Sequence, residues 1–220
     1  MKEIRETSRR SSPFSKPQSI AFDRGALWVG SIATDRIYRL DPATLGVLSE
    51  AEAPGKPWGM TVVRTNGGSE LRVICGHGDD DDRFVHRFEA DRGRFESNPL
   101  FECPQSTGSQ LSFDGERLFV SQWYDQRVLR VDDEGRVLET IQVPHQICGQ
   151  TFVEGSLYLL TTDDESTNDY WLTRIRLEDP QRRAEDLARV PFHARGLAFD
   201  GSSFWTNHRE ADKIVTFVLS

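Results

Sequence analysis

A fivefold repeat is the feature of this sequence that most restricts its fold. Its clearest copy predicts four short antiparallel strands, at residues 111–113, 118–120, 127–131 and 137–143, the first two joined by a turn at Asp114-Gly115. Similar patterns begin near residues 17, 57, 108, 148 and 194, so successive copies start 40 to 51 residues apart. A period of roughly 40–50 residues is typical of a four-stranded propeller blade. The sequence therefore predicts an all-β, five-bladed β-propeller as a single domain over residues 1–220. A β-sandwich would not require such a period.

The last repeat lacks one strand, and the N-terminal segment supplies a spare one. Blade 5 has only three predicted strands, whereas residues 2–7 read as a strand that precedes the first blade. Pairing this segment as the outermost strand of blade 5 closes the ring and removes exposed sheet edges. Residues 1–16 are therefore expected to form a closure strand and a linker.

Two segments inside the repeats are assigned from turn chemistry and polarity. Asn66-Gly67-Gly68 predicts the first turn of blade 2. Residues 181–188, between the third and fourth strands of blade 4, are polar and predict a solvated loop or a short turn.

Charge and hydropathy exclude several classes of protein. The formal net charge of −8 argues against a protein that binds nucleic acid through its phosphate backbone. No apolar run approaches 18 residues, so no transmembrane helix and no membrane partner are expected. The N-terminus lacks the apolar core of a secretory signal. Cys75, Cys103 and Cys148 show no CxxC spacing, which indicates free thiols and a cytoplasmic protein.

Two of the repeats resemble those of known propeller families. Residues 17–23 with Leu27-Trp28-Val29, and residues 194–201 with Phe204-Trp205-Thr206, are similar to NHL-type and streptogramin-lyase-like repeats. Streptogramin lyases have seven blades, so no catalytic residue is carried over from them. In size and blade number the chain is closer to the plant-type glutaminyl cyclases, although it shows none of their local signatures. The resemblance implies a propeller fold and, by analogy, a lyase or cyclase type of chemistry.

Strand direction sorts the polar residues onto two faces. Loops that enter a first strand or leave a second strand lie on one face, here called the upper face; the turns after first strands lie on the other, the lower face. Aligned first strands place Gln110 and Gln150 at equivalent positions, with smaller residues at this position in the other three blades. Both amides are expected to point into the upper mouth of the central channel and bind a polar ligand. Alternatively, they bond each other, a backbone carbonyl or channel water.

Histidines supply the candidate proton-transfer groups. His208 ends the second strand of blade 5, where it is predicted to face the channel mouth as a general acid or base. His77 lies beside four consecutive aspartates, residues 79–82, which offers a base with an orienting carboxylate. The same cluster allows a divalent metal, which the spacing does not favour, so no metal ligand is assigned and the cofactor is left open. Solvated loop histidines are the alternative for both.

Further upper-face residues complete the predicted site. Arg195 is the candidate for anion recognition, and Trp58 and Trp123 would form aromatic walls. Gln122 and Asp163 fall on the same face. Alternatively, Arg195 forms a salt bridge with a surface carboxylate.

No GxSxG, HExxH or nucleotide-binding motif occurs. The favoured hypothesis is a propeller that binds a small polar or anionic molecule and catalyses proton transfer of lyase or cyclase type. The alternative is a non-catalytic scaffold that binds a protein or peptide on its loop face. The sequence does not fix the oligomeric state.

Overall fold

A computed structural model describes residues 2–65 and 68–219, and its strands form five small sheets arranged as a five-bladed β-propeller. The predicted fold is therefore confirmed. The predicted turn at Asn66-Gly67 lies outside the described residues. Within the described residues, no helix combines the length and apolar character needed to cross a membrane.

The strands follow one another along the chain in the order expected for successive blades. The N-terminal strand is β1 (Arg5–Ser11). Blade 1 contains β2 (Pro17–Asp23), β3 (Ala26–Ser31), β4 (Arg36–Leu40) and β5 (Val47–Glu52). Blade 2 contains β6 (Lys56–Thr65), β7 (Gly68–His77), β8 (Asp82–Glu89), β9 (Arg94–Phe95) and β10 (Phe101–Glu102). A short 3-10 turn follows at Pro104–Ser106.

Blades 3 and 4 each have four consecutive strands, and blade 5 has three. Blade 3 contains β11 (Leu111–Phe113), β12 (Leu118–Gln122), β13 (Arg127–Val131) and β14 (Val137–Gln142). Blade 4 contains β15 (Gln146–Val153), β16 (Ser156–Thr162), β17 (Tyr170–Arg176) and β18 (Ala184–Val190). Blade 5 contains β19 (Ala194–Phe199), β20 (Phe204–His208) and β21 (Lys213–Val218), with a 3-10 turn at Arg209–Ala211 before β21.

Blade 5 is completed by the N-terminal strand, as predicted. β1 pairs antiparallel with β21 and is the outermost strand of that sheet, with Arg5 opposite Val218 and Ser11 opposite Lys213. The segment before β1 also bonds to blade 4, where the backbone N–H of Ile4 donates to the carbonyl of Arg189 over 2.9 Å. The N-terminal segment therefore joins two blades.

The prediction of a solvated loop or short turn over residues 181–188 is wrong for residues 184–188. Strand β18 occupies Ala184–Val190 and pairs with β17. Ala188 and Val190 are buried there, whereas the intervening Arg189 is exposed. The polar residues of this strand face solvent because it is the outer edge of its blade, and their polarity hides the strand in the sequence.

The apolar core lies between blades. The buried apolar side chains of the described residues form five clusters, and each joins two neighbouring blades. Trp28 and Phe88 pack edge to face in the seam between blades 1 and 2, with ring centres 5.4 Å apart. Trp205 packs between blades 5 and 1. This arrangement buries the faces of the blades against one another, and the first strands of the blades line the central channel.

Candidate functional site

The central channel opens into a cavity on each face. The upper cavity has a volume of about 520 Å³, and five of the residues singled out in the sequence line it: Trp58, Gln110, Gln122, Trp123 and Arg195. The lower cavity is larger, about 690 Å³, and Gln150 is the singled-out residue that lines it. Within the described residues, the predicted site residues therefore do not all line one cavity.

Trp58 is held on one side of the upper cavity by a cation and a carboxylate. It lies at the bulge where β6 pairs with β7, and its indole N–H donates to Asp81 over 3.2 Å. The guanidinium carbon of Arg83 lies 4.2 Å from the centre of the Trp58 ring. Arg83 also pairs with Asp81 over 2.7 Å and donates to the carbonyl of Gly108. This network fixes the indole as a wall of the cavity.

Arg195 forms the opposite side. Its buried guanidinium donates to the phenol oxygen of Tyr170 over 2.8 Å and to Glu165 over 3.0 Å. The guanidinium carbon lies 5.1 Å from the centre of the Trp123 ring. Burial acts to lower the pKa of Arg195, but the neighbouring Cys148, Tyr170 and Glu165 outweigh it and raise the pKa overall. Burial also raises the pKa of Tyr170, so its phenol stays protonated at neutral pH.

Glutamine side chains form the floor. The amide of Gln110 donates to the carbonyl of Trp58 over 3.1 Å, and Gln18 donates to the same carbonyl over 3.4 Å. Gln18 in turn accepts a hydrogen bond of 2.9 Å from Arg209. Within the described residues, the side-chain oxygen of Gln110 accepts no hydrogen bond. It is therefore available to a donor group of a ligand.

Gln122 lines the cavity but is fully engaged by protein groups. Its amide nitrogen donates to the carbonyl of Pro104 over 2.7 Å and to the hydroxyl of Thr107 over 2.9 Å, and its oxygen accepts from Arg127 over 2.6 Å. Gln122 therefore positions the 3-10 turn that follows blade 2, rather than offering its amide to the cavity.

Gln150 is not equivalent to Gln110, contrary to the sequence alignment. Gly149 pairs with Leu160 at the register that Ser19 and Gly30 occupy in blade 1, and Gln150 pairs with Leu159 one residue further on. Gln150 lies two residues before Phe152, whereas Gln110 lies three residues before Phe113, which holds the same register in blade 3. Gln150 consequently faces the lower cavity.

His208 does occupy the predicted strand position, but its ring lies outside the cavity. It stacks on Phe192 with ring centres 5.3 Å apart, and its Nδ1 lies 3.0 Å from the Arg9 guanidinium of the closure strand. Burial, with Arg9 and His193 nearby, lowers the pKa of His208. The strand pleat turns this position toward the seam with blade 4 instead of the channel.

His77 is also directed away from the upper cavity. Its ring stacks on His86 with centres 5.0 Å apart, and the two Nε2 atoms are 2.9 Å apart. His86 is buried, and burial together with His77 lowers its pKa to about 4. Among the described residues, no three histidine, cysteine or acidic groups are arranged to hold a metal ion.

Asp163 belongs to a separate chain of polar contacts in blade 4. It lies 2.6 Å from His145 Nδ1, and His145 Nε2 lies 3.4 Å from Asp186. The His145 ring stacks on Trp171. Asp163 is therefore at the rim of blade 4 and does not line the upper cavity.

The sequence did not single out Arg83, Glu165 and Tyr170. Glu165 lies in the long polar loop between β16 and β17, and Arg83 follows the aspartate run. Their positions in polar upper-face loops could have identified both as candidates. Tyr170 is the first residue of β17, and nothing in its sequence position indicates a site residue. Cys148 lies at the cavity but is buried, which raises the pKa of its thiol to about 12.

Comparison with known proteins supports the fold. No protein-family model matches the sequence, and no curated protein matches it. A glutaminyl cyclase from Myxococcus xanthus superposes with a TM-score of 0.71 at 10% identity, over 99% of this chain and 96% of that one. Regucalcin, a calcium-binding protein from Agrobacterium tumefaciens, gives 0.61 at 12% identity, over 100% and 96%. Virginiamycin B lyase from Staphylococcus aureus gives 0.51 at 14% identity, over 97% and 99%. The resemblance to lyase and cyclase propellers is thus confirmed for the fold.

Proposed function

We propose that the upper cavity binds a small polar molecule and that the protein catalyses a cyclase type of proton transfer on it. The observation that supports this most is the convergence of Trp58, Gln110, Trp123 and Arg195 on one cavity of about 520 Å³. Ligand cavities of about 300–1,000 Å³ commonly combine aromatic walls with a few oriented polar groups.

The charges around the cavity favour a ligand with N–H groups. Its lining contains three guanidiniums, Arg83, Arg195 and Arg209, each bonded to a protein carboxylate. It also contains four carboxylates, on Asp80, Asp81, Asp125 and Glu165. Because the guanidiniums already have partners, an anionic ligand would have to displace a carboxylate. An amine or amide can instead bond the free oxygen of Gln110 and the remaining lone pairs of the carboxylates, of which Asp81, Asp125 and Glu165 are already paired with arginines.

Glu165 is the proposed proton-transfer group. It is a solvent-accessible carboxylate at the cavity, held by Arg195 over 3.0 Å. The histidines predicted for this role lie outside the cavity, so a carboxylate takes their place.

A glutaminyl substrate fits this chemistry, and the structurally similar Myxococcus protein is a glutaminyl cyclase. In such a cyclisation the amine nitrogen attacks the side-chain carbonyl carbon, and the carbon–nitrogen bond to the leaving ammonia breaks. Glu165 would accept the proton of the attacking nitrogen and return it to the leaving nitrogen. The free oxygen of Gln110 would accept a hydrogen bond from the substrate.

The test is a short peptide with N-terminal glutamine, followed by mass spectrometry for loss of ammonia. Wild type is expected to exceed the spontaneous rate, and Glu165→Gln should lower turnover by about 100-fold or more while the peptide still binds. Asp163→Asn, outside the cavity, is the matched carboxylate control and should leave turnover unchanged. A wild-type rate equal to the uncatalysed rate would contradict the cyclase proposal.

The alternative, a scaffold for a peptide, is supported by one feature of the rim. Tyr124 follows Trp123 at the upper cavity and is 89% exposed. Peptides without N-terminal glutamine should then bind as well as those with it, and Tyr124→Ala should weaken both equally. Calorimetric titration of the two peptides separates a scaffold from a cyclase.

A further inference from the structure

The upper cavity has two chemically different sides. Glu165 and Arg195 come from blades 4 and 5. Asp80 and Tyr124 come from the upper-face loops of blades 2 and 3. Tyr124 is almost fully exposed and interacts electrostatically with Arg83, which places its hydroxyl on the blade 2 side. A ligand whose reacting end lies at Glu165 therefore extends toward the loops of blades 2 and 3.

Asp80 is the lining carboxylate that has no cation among the described residues. The other three, on Asp81, Asp125 and Glu165, each pair with an arginine. Asp80 is exposed and forms no ion pair or hydrogen bond within the described part of the chain. The lining carries three guanidiniums and four carboxylates, so the cavity has a net charge of −1. A cationic group of a ligand would meet an unneutralised partner at Asp80.

Asp80 is held at the rim by its neighbour in the chain. Asp81 accepts a hydrogen bond of 3.2 Å from the Trp58 indole and pairs with Arg83 over 2.7 Å. Apart from Asp81, the aspartates at residues 79–82 form no ion pair with a described residue. The loop is thus anchored through one carboxylate and presents its remaining negative charge beside the cavity.

The floor of the cavity offers a hydrogen-bond acceptor of its own. Gln110 is 3% exposed, and its amide nitrogen donates to the carbonyl of Trp58. Its oxygen accepts no hydrogen bond from the described residues. That oxygen is also not one of their buried atoms without a partner, so it is accessible from the cavity. A nearly buried side chain therefore directs a free acceptor at a ligand.

The size of the cavity limits the distance between its floor and its rim. A sphere of 520 Å³ is about 10 Å across, and an extended peptide covers that distance in about three residues. A peptide whose first residue bonds Gln110 and Glu165 therefore brings its second or third side chain to Asp80.

We propose that the upper cavity selects peptides that carry a lysine or arginine at the second or third position. The cation pairs with Asp80 and lies against the ring of Tyr124, while Gln110 accepts a hydrogen bond from the first residue. This selectivity rests on the proposed function, because it takes the cavity to bind the N-terminal residue of a peptide.

Two peptides of identical composition test the proposal. Gln-Lys-Ala-Ala-Ala-Ala and Gln-Ala-Ala-Ala-Ala-Lys, both amidated at the C-terminus, carry the same charge, so general attraction to a protein of net charge −8 is the same for both. The first peptide is expected to bind about fivefold more tightly, since it alone places its cation at Asp80 and Tyr124. Equal affinities, or binding of neither peptide, would overturn the proposal.

Affinity and turnover are measured separately. Calorimetry on Glu165→Gln gives the affinity, or calorimetry on wild type if wild type does not turn the peptides over. Mass spectrometry gives kcat/KM for wild type. A fivefold preference in affinity without turnover would contradict the cyclase proposal and support the selectivity. Turnover of both peptides with equal kcat/KM would leave the cyclase proposal standing and overturn the selectivity.

A matched pair of charge reversals locates the cation site. Asp80→Lys should abolish the preference for lysine at the second position. Asp133→Lys is the control, because Asp133 is also exposed and unpaired among the described residues but lies in the turn after β13, on the lower face. This variant changes the net charge equally and should keep the fivefold preference. Retention of the preference in Asp80→Lys, or its loss in both variants, would refute the role of Asp80.

Salt provides a test that requires no variant. The fivefold preference of wild type should shrink toward equality as NaCl rises from about 0.05 to 0.5 M, because salt screens a pair between an exposed carboxylate and a ligand cation. A preference that salt does not change would contradict an ion pair with Asp80.

Discussion

The guanidinium of Arg195 in blade 5 lies over the indole of Trp123 in blade 3, 5.1 Å from the ring centre to the guanidinium carbon. These blades are not neighbours. Blade 4 lies between them and supplies Tyr170 and Glu165, the hydrogen-bonding partners of the same guanidinium. One buried cation therefore joins three blades at the edge of the upper cavity.

Arg195→Met should destabilise the protein by about 1–3 kcal/mol, because it removes the donor to the buried Tyr170 hydroxyl and the stacking on Trp123. Urea unfolding measures the change. Arg189→Met is the control, since Arg189 pairs with Asp169 at the surface, and a change within about 0.5 kcal/mol is expected there. Equal effects of the two substitutions would contradict the central role of Arg195.

Deletion of residues 1–12 should lower the melting temperature by many degrees, because it exposes the edge of β21 and the apolar residues that Ile4 covers. Differential scanning calorimetry provides the measurement. Leu48→Ala in the outer strand of blade 1, where the side chain is exposed, should change the melting temperature little. An unchanged melting curve after the deletion would argue against the closure strand.

Stability should decrease as pH falls from about 6.5 to 4. The pKa of His86 is about 4 in the folded state against 6.5 in the unfolded chain, so the unfolded chain binds more protons in this interval. The contribution of His86 to this loss is up to about 3 kcal/mol. Urea unfolding at several pH values should show a shallower dependence for His86→Phe than for wild type. Parallel pH profiles would contradict the assignment to His86.

Gly149→Ala should destabilise the ring by about 1–3 kcal/mol or more, because a Cβ there would meet the backbone oxygen of Gly196 in the next blade at 2.9 Å. Gly46→Ala, in an exposed turn, would meet only a Thr44 hydroxyl at 3.2 Å and should be nearly neutral. Thermal unfolding of the two variants compares them directly. A neutral Gly149→Ala would mean that the first strands can move apart.

The fold was predictable because the same strand pattern repeats five times, and an error of one or two residues in a single strand does not change the repeat. The missing strand of blade 5 and the spare strand at the N-terminus complement each other in the sequence itself. The side chains of Trp58, Gln110, Trp123 and Arg195 could likewise be placed on one face, because loop position alone determines the face.

The errors come from what strand patterns do not encode. Gln150 and Gln110 occupy different registers because they lie two and three residues, respectively, before the phenylalanine near the end of their strands. The pleat turned His208 into a blade seam, although its register was predicted correctly. Residues 181–188 predict a loop or short turn although strand β18 begins at Ala184, because an outer strand needs few apolar residues. Each error concerns the direction of a side chain or the pairing of an edge, which depend on neighbouring strands.

Closure of the ring by β1 also dictates when this protein can finish folding. Ser11 and Lys213, which bond through their side chains at the end of the β1–β21 pair, are 202 residues apart in the chain. During synthesis at about 5–20 residues per second, β1 therefore emerges from the ribosome roughly 10–40 s before its partner exists. Over that interval β1 has no strand partner, and its charged sequence, with three arginines and one glutamate from Arg5 to Ser11, opposes its pairing with other chains.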